Sequence, residues 1–361
     1  MKPLRFARTL VFFLFLTAPN FSDAREKLSI GIEGGYGGNL FADSFQVGSN
    51  YLANRISFSS VNFQKIKLGL QYDLSYTNYN TDNYINNFIH LAGISIYNRD
   101  RGRKLKWGIT GLGIFKDYID KNSGFDNYRI FGVADGSYYC KSFLQVKAIY
   151  RFIRSEYYNF GSLDNIEHWV ESEFLATLPT RSTVRTAIRY AVRRFDEEYI
   201  TFHWYDTELG FSQSLDSRTG LGAKYIHRWS NGGTRPLSSY NVISGITSFW
   251  DPWKGNQLEA FIKRVLPLGI LTRLETSYWN RLFIYDEILR EQLDWLDGKY
   301  GRRDEGWATK LEISRQQNLP WKIARSIKMG VSTAYLSNGS DDSYYDYTNF
   351  TIQTMFELQV F

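Results

Sequence analysis

The sequence predicts an all-β protein, a single transmembrane antiparallel β-barrel, and three observations lead to that prediction. Apolar and polar side chains alternate along most of the chain with a period of two, which is the period of a β-strand. Aromatic residues make up 17% of the 361 residues, yet the mean hydropathy is negative. The chain also begins with a basic and then apolar leader. A barrel with lipid outside and water inside accommodates all three features.

The clearest alternation runs from Arg181 to Arg193. Its odd positions hold Arg181, Arg185, Arg189 and Arg193 with small residues between them, and its even positions are Ser, Thr, Val, Ile and Tyr. A soluble β-sandwich would not bury a face that carries four arginines, because an unpaired buried charge is very costly. We therefore expect the apolar face to meet lipid and the arginine face to meet an aqueous lumen.

The N-terminus predicts export. Three basic residues lie in the first eight positions, Thr9–Thr17 is apolar, and Ser22–Ala24 supplies small residues for cleavage. This pattern is typical of a Sec signal peptide over residues 1–24, which is too short to remain as a membrane-spanning helix. Residues 25–361 then form one domain, the barrel, and the expected location is the outer membrane.

Strand counting predicts about 16 strands. Alternating segments of about 10 to 15 residues, the length of a tilted membrane strand, recur along the chain, with Ile66–Thr77 the cleanest. Seventeen candidates can be drawn, but a barrel whose termini are both periplasmic needs an even number. One candidate between Asp196 and Gly269, an interval that includes Tyr240–Trp250, is therefore surplus. Barrels of 14 or 18 strands are the alternatives.

One segment breaks the strand pattern in what the sequence suggests is the longest interval between strands. Asp286–Asp297 has apolar residues at helical spacing. We expect either a short amphipathic helix that caps an external loop or a constriction loop that folds into the lumen. The residues concerned are Ile288, Leu289, Leu293, Trp295 and Leu296.

The alternation also predicts which charged side chains face the lumen, and basic residues outnumber acidic ones there by roughly two to one. The candidate anion-binding residues are Lys147, Arg151, Arg185, Arg189, Arg193, Lys224, Arg228, Arg273 and Arg281, and the opposing acids are Asp73, Glu171, Glu173, Glu275 and Glu312. A lumen of this kind favours anions over cations. Alternatively, the arginines pair with acids in a closed interior. No single facing strand supplies four acids for the four arginines, which favours an open lumen.

Other chemistries find little support in the sequence. The net charge is +6, but no Lys/Arg run is present, so we expect no nucleic-acid partner. No metal-ligand or cofactor motif is found, and Cys140, the single cysteine, allows no internal disulfide. His203 and His227 precede and follow Ser212 and Ser214, but nothing in the spacing brings a hydroxyl within reach of an imidazole.

The last segment, Asn349–Phe361, resembles the final strand of Gram-negative outer-membrane proteins. Phe350, Ile352 and Phe356 share its apolar face, while the terminal Phe361 falls on the polar face. The resemblance implies recognition by the barrel-assembly machinery and contact with outer-membrane lipid and lipopolysaccharide. The segment from Ser337 onward is also similar to the barrels of surface lipoprotein assembly modifiers and related polymer exporters.

Together these observations favour an outer-membrane channel or exporter whose basic lumen passes anionic solutes or polymers. A non-conducting structural or surface-binding barrel that acts through its extracellular loops is the first alternative. A lipid-modifying outer-membrane enzyme is the second.

Overall fold

The structure is a computed structural model that describes residues 24–38, 48–62, 67–80, 86–98, 102–118, 126–158, 161, 164–196, 201–231, 253–284, 301–320, 324–341 and 343–360. The predicted signal peptide up to residue 23, the segment 286–297 and Phe361 lie outside these residues. Among the described residues no helix is both long and apolar enough to cross a membrane.

Sixteen antiparallel strands form one closed barrel, in which each strand pairs with its sequence neighbours and β1 pairs with β16. This confirms the predicted fold and strand number. The strands are β1 (Ala24–Gly37), β2 (Ser49–Asn62), β3 (Lys67–Tyr79), β4 (Asn87–Asn98), β5 (Leu105–Tyr118), β6 (Asn127–Lys141), β7 (Leu144–Tyr157), β8 (Asn165–Thr177), β9 (Ser182–Phe195), β10 (Thr201–Ser214), β11 (Thr219–Asn231), β12 (Trp253–Val265), β13 (Ile270–Ile284), β14 (Gly301–Asn318), β15 (Ser326–Ser340) and β16 (Tyr347–Gln359).

The surplus strand candidate is Tyr240–Trp250. β11 pairs directly with β12, so the wall closes without this segment, which lies outside the described residues. The sequence predicts starts at Leu258 and Trp307 for two strands that begin earlier in the structure, β12 at Trp253 and β14 at Gly301. The interval 232–252 between β11 and β12 is consequently longer than 285–300, and the loop that contains the predicted helix is not the longest.

The two faces of the wall follow the predicted alternation. On β9 and β10, Ile188 and Leu209 point outward and are 61% and 55% exposed, whereas Ala191 and Asp206 point inward and are almost fully buried. A strand built from β-branched and aromatic residues on one face and polar or small residues on the other suits a wall between lipid and an interior. Arg181 is an exception to the predicted face, because it lies in the turn before β9 with a positive φ of 61°.

The two ends of the barrel differ. Both termini of the barrel and its short connections, such as 142–143, 178–181 and 215–218, lie at one end, which we name the turn end. The longer connections, among them 232–252 and 285–300, lie at the other, the loop end. Short turns are periplasmic and long loops extracellular in outer-membrane barrels, so the loop end faces outward from the cell.

Candidate functional site

The arginine face of β9 lies in an ion-pair network between β8 and β10. Arg189 donates from Nε to Glu171 at 3.0 Å and from Nη2 to Glu208 at 2.6 Å. Arg185 contacts the same two carboxylates, with Glu171 at 3.2 Å, and Glu173 at 2.9 Å as well. Both shared carboxylates are buried. Each of the two therefore bridges two arginines, and the charges alternate around a four-residue ring.

The network extends along the wall on both sides. Arg193 donates to Glu167 at 2.6 Å, and Arg228 on β11 binds both oxygens of Asp206, at 2.6 and 2.8 Å. Arg151 approaches Glu171 at 3.6 Å. From β7 to β11 five arginines face five carboxylates: Arg151, Arg185, Arg189, Arg193 and Arg228 against Glu167, Glu171, Glu173, Asp206 and Glu208.

We name these ten residues the compensated wall. No single neighbouring strand supplies four acids, as the sequence indicated, but β8 and β10 together supply five. The arginine face is thus neutralised from both sides. Arginine pairs with carboxylates through two parallel hydrogen bonds, as Arg228 does here, and such pairs fix the positions of the side chains.

The remaining predicted basic residues lie on the same lumen face. Lys224 pairs with Glu259 at 2.8 Å, and Arg273 pairs with Glu275 on its own strand. Lys147 lies opposite Glu173 in the β7–β8 register. Each of these three cations therefore has an acid nearby, which lies on a neighbouring strand for Lys224 and Lys147 and on the same strand for Arg273.

Arg281 on β13 differs from the others. Its one side-chain hydrogen bond among the described residues runs from Nη2 to Gln257 Oε1, at 2.8 Å, and its buried Nε has no partner there. The guanidinium carbon lies 4.9 Å from the ring centroid of Trp253 and 5.2 Å from that of Trp279. No carboxylate within the described part of the chain forms an ion pair with it.

Two tryptophans and two arginines form a continuous cluster in this part of the wall. Arg228 also contacts Trp253, at 4.5 Å from its ring centroid, so one indole receives two guanidinium groups. We name Arg228, Trp253, Trp279 and Arg281 the indole site. Arginine stacks on aromatic faces and keeps its hydrogen-bond donors directed outward from the ring.

Glycines on neighbouring strands make room for the indole site. A Cβ on Gly306 would lie 2.5 Å from Trp279 and equally close to the Ser337 carbonyl oxygen. The Trp279 ring therefore covers the position that a larger residue would occupy. Its Nε1 donates to Asn338 at 2.9 Å, which fixes the ring. Gly255 has a positive φ of 143° two residues after Trp253, where an L-residue would be strained.

Several interior residues were not anticipated from the sequence. Trp169 and Trp204 are buried on the lumen face and meet edge to face at 5.7 Å. Trp253 falls in a segment that the sequence suggested was a loop. The sequence does contain a signal for Trp279. It lies two residues before Arg281 on one strand, and residues two apart on a strand share a face.

The histidines and serines considered as catalytic candidates lie on opposite faces. His203 and His227 point outward, where they contact Tyr190 and Asn256. Ser212 and Ser214 share the inward face of β10 with Asp206. These histidines and serines therefore do not form a nucleophile–base pair. Within the described residues, no group of three or more His, Cys, Asp or Glu side chains could hold a metal ion.

The closed 16-strand wall, the apolar outward face and the charged inward face define an outer-membrane β-barrel of porin size, and its location is the outer membrane. No protein-family model and no curated protein sequence matches the chain. Its fold is similar to solved barrels of the OprD type. A doubly substituted OccD1 (OprD) is 9% identical with a TM-score of 0.52, covering 93% of this chain and 96% of that chain; OprD is a Pseudomonas aeruginosa protein.

Two further structures show the same likeness. Acinetobacter baumannii OccAB1 is 10% identical with a TM-score of 0.50, over 93% of this chain and 97% of that one. Pseudomonas aeruginosa OpdK, solved with vanillate, is 11% identical with a TM-score of 0.50, over 92% and 98%. At these identities the comparison establishes the fold.

Proposed function

We propose that this protein is a passive outer-membrane channel for anionic solutes and that the indole site is where they contact the wall. The observation that carries the proposal is the state of Arg281. Every arginine of the compensated wall is bound to a carboxylate, whereas Arg281 has none among the described residues and keeps a buried Nε without a partner. Asp304, the register partner of Arg281 on β14, is paired with Arg302 instead, so Arg281 leaves positive charge that a mobile anion can neutralise.

The width of the barrel supports a channel. Barrel diameter rises roughly in proportion to strand number, and about eight strands already give an interior that side chains fill. Sixteen strands give about twice that diameter, a size at which porins leave an aqueous path. Wall side chains alone are therefore too short to close the interior.

The charge of the wall around the indole site supports selectivity for anions. On β11 to β14, apart from Arg228, six basic side chains share the lumen face with four acidic ones, a difference of two positive charges. They are Lys224, Lys263, Arg273, Arg281, Arg302 and Lys310 against Glu259, Glu275, Asp304 and Glu312. A basic lining lowers the energy of anions and raises that of cations.

The structural neighbours supply a second line of support. The OprD-type barrels are outer-membrane proteins with this fold, and OpdK was solved with vanillate, which is a carboxylate. An anionic polymer would present the same charge to Arg281, so the proposal includes polymers as cargo alongside small solutes.

The test is single-channel conductance of the refolded barrel in a planar bilayer under a salt gradient. We expect a stable conductance with a reversal potential that favours chloride, and R281Q should shift that potential toward cations. R264Q is the matched control, because Arg264 lies on the outer face near the turn end. A shift of equal size in both variants would show that Arg281 has no special contact with the permeating ion.

A non-conducting, surface-binding barrel is the second candidate, and the compensated wall favours it. Arginines that are already bound to buried carboxylates stabilise a packed interior as readily as they line a pore. Absence of conductance from a barrel that shows the heat-modifiable gel shift of a folded β-barrel would favour this alternative and overturn the channel.

A further inference from the structure

The outer face of the barrel near the loop end carries two rows of polar residues. In the lower row, histidine Nδ1 contacts a side chain on the neighbouring strand: Tyr150 with His168 at 2.8 Å, Tyr190 with His203 at 2.8 Å, and Asn256 with His227 at 2.6 Å. The fourth histidine of the chain, His90, contacts Tyr72 in the same way. All four lie on lipid-facing positions two to four residues from the loop end of their strands.

This lower row marks the level at which the hydrocarbon core ends. Tyrosine and other rings with a polar edge concentrate at the membrane–water interface of outer-membrane barrels. Below it toward the barrel middle, the same faces carry exposed Val170, Ile188 and Leu209. A polar imidazole paired with a phenol is stable at the interface and would be costly deeper in the lipid.

Three outer-face cations form the upper row, nearer the loop end; Arg194 and Arg303 are exposed and Lys254 is half-buried. Arg194 lies two residues beyond Val192, which is the register partner of His203. Lys254 lies two residues beyond Asn256, the register partner of His227. Arg303 and Lys254 are both register partners of Leu282. Two residues along a strand correspond to about 7 Å.

None of the three cations has an ion-pair partner among the described residues. The nearby acids are already engaged: Glu156 and Asp196 accept from Arg154 at 3.0 and 2.6 Å, and Glu305 accepts from Tyr278 at 2.6 Å. Asp341 accepts from the backbone N–H of Arg303 at 2.8 Å. With strands about 4.8 Å apart, Lys254 and Arg303 are separated by about 10 Å across the sheet. Arg194 lies three strands from Lys254 and four residues further along the strand direction, which places the two about 20 Å apart.

We propose that this upper row, Arg194, Lys254 and Arg303, binds the phosphate groups of the phosphorylated glycolipid of the outer leaflet. The proposed lipid ligand follows from the position and the charge of the upper row. The row lies just above the hydrocarbon boundary on the outward-facing side of the barrel, where the lipid headgroups carry phosphate. Arginine binds phosphate with two parallel donors, and lysine does so as a point charge. The lower row would contact the sugar portion of the same lipid.

The test uses native mass spectrometry of the detergent-refolded barrel titrated with bis-phosphorylated lipid A and, separately, with lipid A stripped of its phosphates. We expect R194Q/K254Q/R303Q to weaken binding of the phosphorylated lipid about 100-fold, at about fivefold per charge near a charged membrane surface. Binding of the stripped lipid should stay unchanged. The charge-preserving R194K/R303K should retain most of the affinity.

The matched control is R264Q/R315Q, which removes two outer-face cations at the turn end. This variant should bind lipid A within about twofold of the unsubstituted barrel, since its charges lie on the periplasmic side. An equal loss in the control variant, an unchanged affinity in the triple variant, or equal binding of the stripped lipid would each overturn the proposal. The heat-modifiable gel shift verifies that every variant is folded.

Discussion

Two parts of the lumen wall use arginine in opposite ways. In the compensated wall of β7 to β11, five arginines face five carboxylates, and the shared Glu171 and Glu208 are buried. In the indole site, Arg281 contacts two indole rings and donates a hydrogen bond to one amide oxygen, and it forms no ion pair with a carboxylate among the described residues. The first arrangement fixes the wall, while the second leaves Arg281 without an ion pair among the described residues, and the proposed solute contact depends on this difference. The number of arginines on a strand therefore says less about selectivity than the residues on its two neighbours.

The largest effect is expected from removing a shared carboxylate of the compensated wall. In Glu208→Gln, Arg185 and Arg189 lose the carboxylate that both contact. Breaking a buried ion pair from one side is strongly destabilising, by about 3 kcal/mol. Urea unfolding of the barrel in lipid vesicles would measure this loss.

Glu275→Gln is the control, because Glu275 and its partner Arg273 are each about 40% exposed. Exposed pairs contribute about 0 to 1 kcal/mol. If the two variants lose equal stability, the compensated wall is not the structural element that its geometry indicates.

The second prediction concerns the packing of the indole site. Gly306→Ala would place a Cβ about 2.5 Å from both Trp279 and the Ser337 carbonyl oxygen. Overpacking of this kind costs about 1 to 3 kcal/mol, and it would displace the ring that lies against Arg281. We expect lower stability together with weaker anion selectivity, measured by unfolding and by reversal potential, although no charge has changed.

Gly136→Ala is the matched control, since a Cβ there meets nothing within 4 Å. It should leave both measurements unchanged. If Gly306→Ala loses stability but keeps its anion selectivity, the indole rings do not contribute to ion selection.

Most of the fold could be predicted from the sequence, and the site only in part. The alternation in Arg181–Arg193 fixes which side of β9 faces lipid because a one-residue shift would reverse every side chain. The strand number followed from the same pattern and from the requirement for an even number of strands. The ion pairs between side chains could not be predicted, because they depend on the register between strands. Nothing in the sequence states that Arg189 lies opposite both Glu171 and Asp206.

The positions at which strands begin were the second feature that could not be predicted from the sequence. Trp253, Arg302 and Asp304 lie at the loop ends of β12 and β14, in segments that the sequence suggested were loops. Their glycines and charges are typical of turns, and the barrel extends them into strands through pairing with β13. Trp253 of the indole site was therefore missed because the start of its strand was misplaced, while the faces of the strands, apart from Arg181, followed the predicted alternation.

The third prediction compares the lumen with the outer face. Tyr150→Phe removes the hydrogen bond to His168 at the lipid interface and should cost about 0.5 to 1.5 kcal/mol, less than Glu208→Gln because no ion is left unpaired. Tyr138→Phe provides the comparison, since Tyr138 is another exposed tyrosine on the outer face. Equal unfolding midpoints for the two variants would show that the tyrosine–histidine pairs contribute nothing to stability.

The smallest effect is expected at the turn end, outside the membrane. The carboxylate of Asp216 accepts hydrogen bonds from the backbone N–H of Arg218 at 2.5 Å and of Thr219 at 2.7 Å, and these bonds lower its pKa below the ordinary value of 3.8. A depressed carboxyl pKa gives stability that is present above the unfolded pKa and lost as the pH falls through the folded one.

Asp216→Asn should therefore unfold slightly more easily than the unsubstituted barrel at pH 7, and the difference should shrink below about pH 4. Unfolding midpoints across this range measure it; a difference that grows toward low pH would contradict the assigned hydrogen bonds. Because this turn lies far from the indole site, the reversal potential expected for the proposed channel should not change with the substitution.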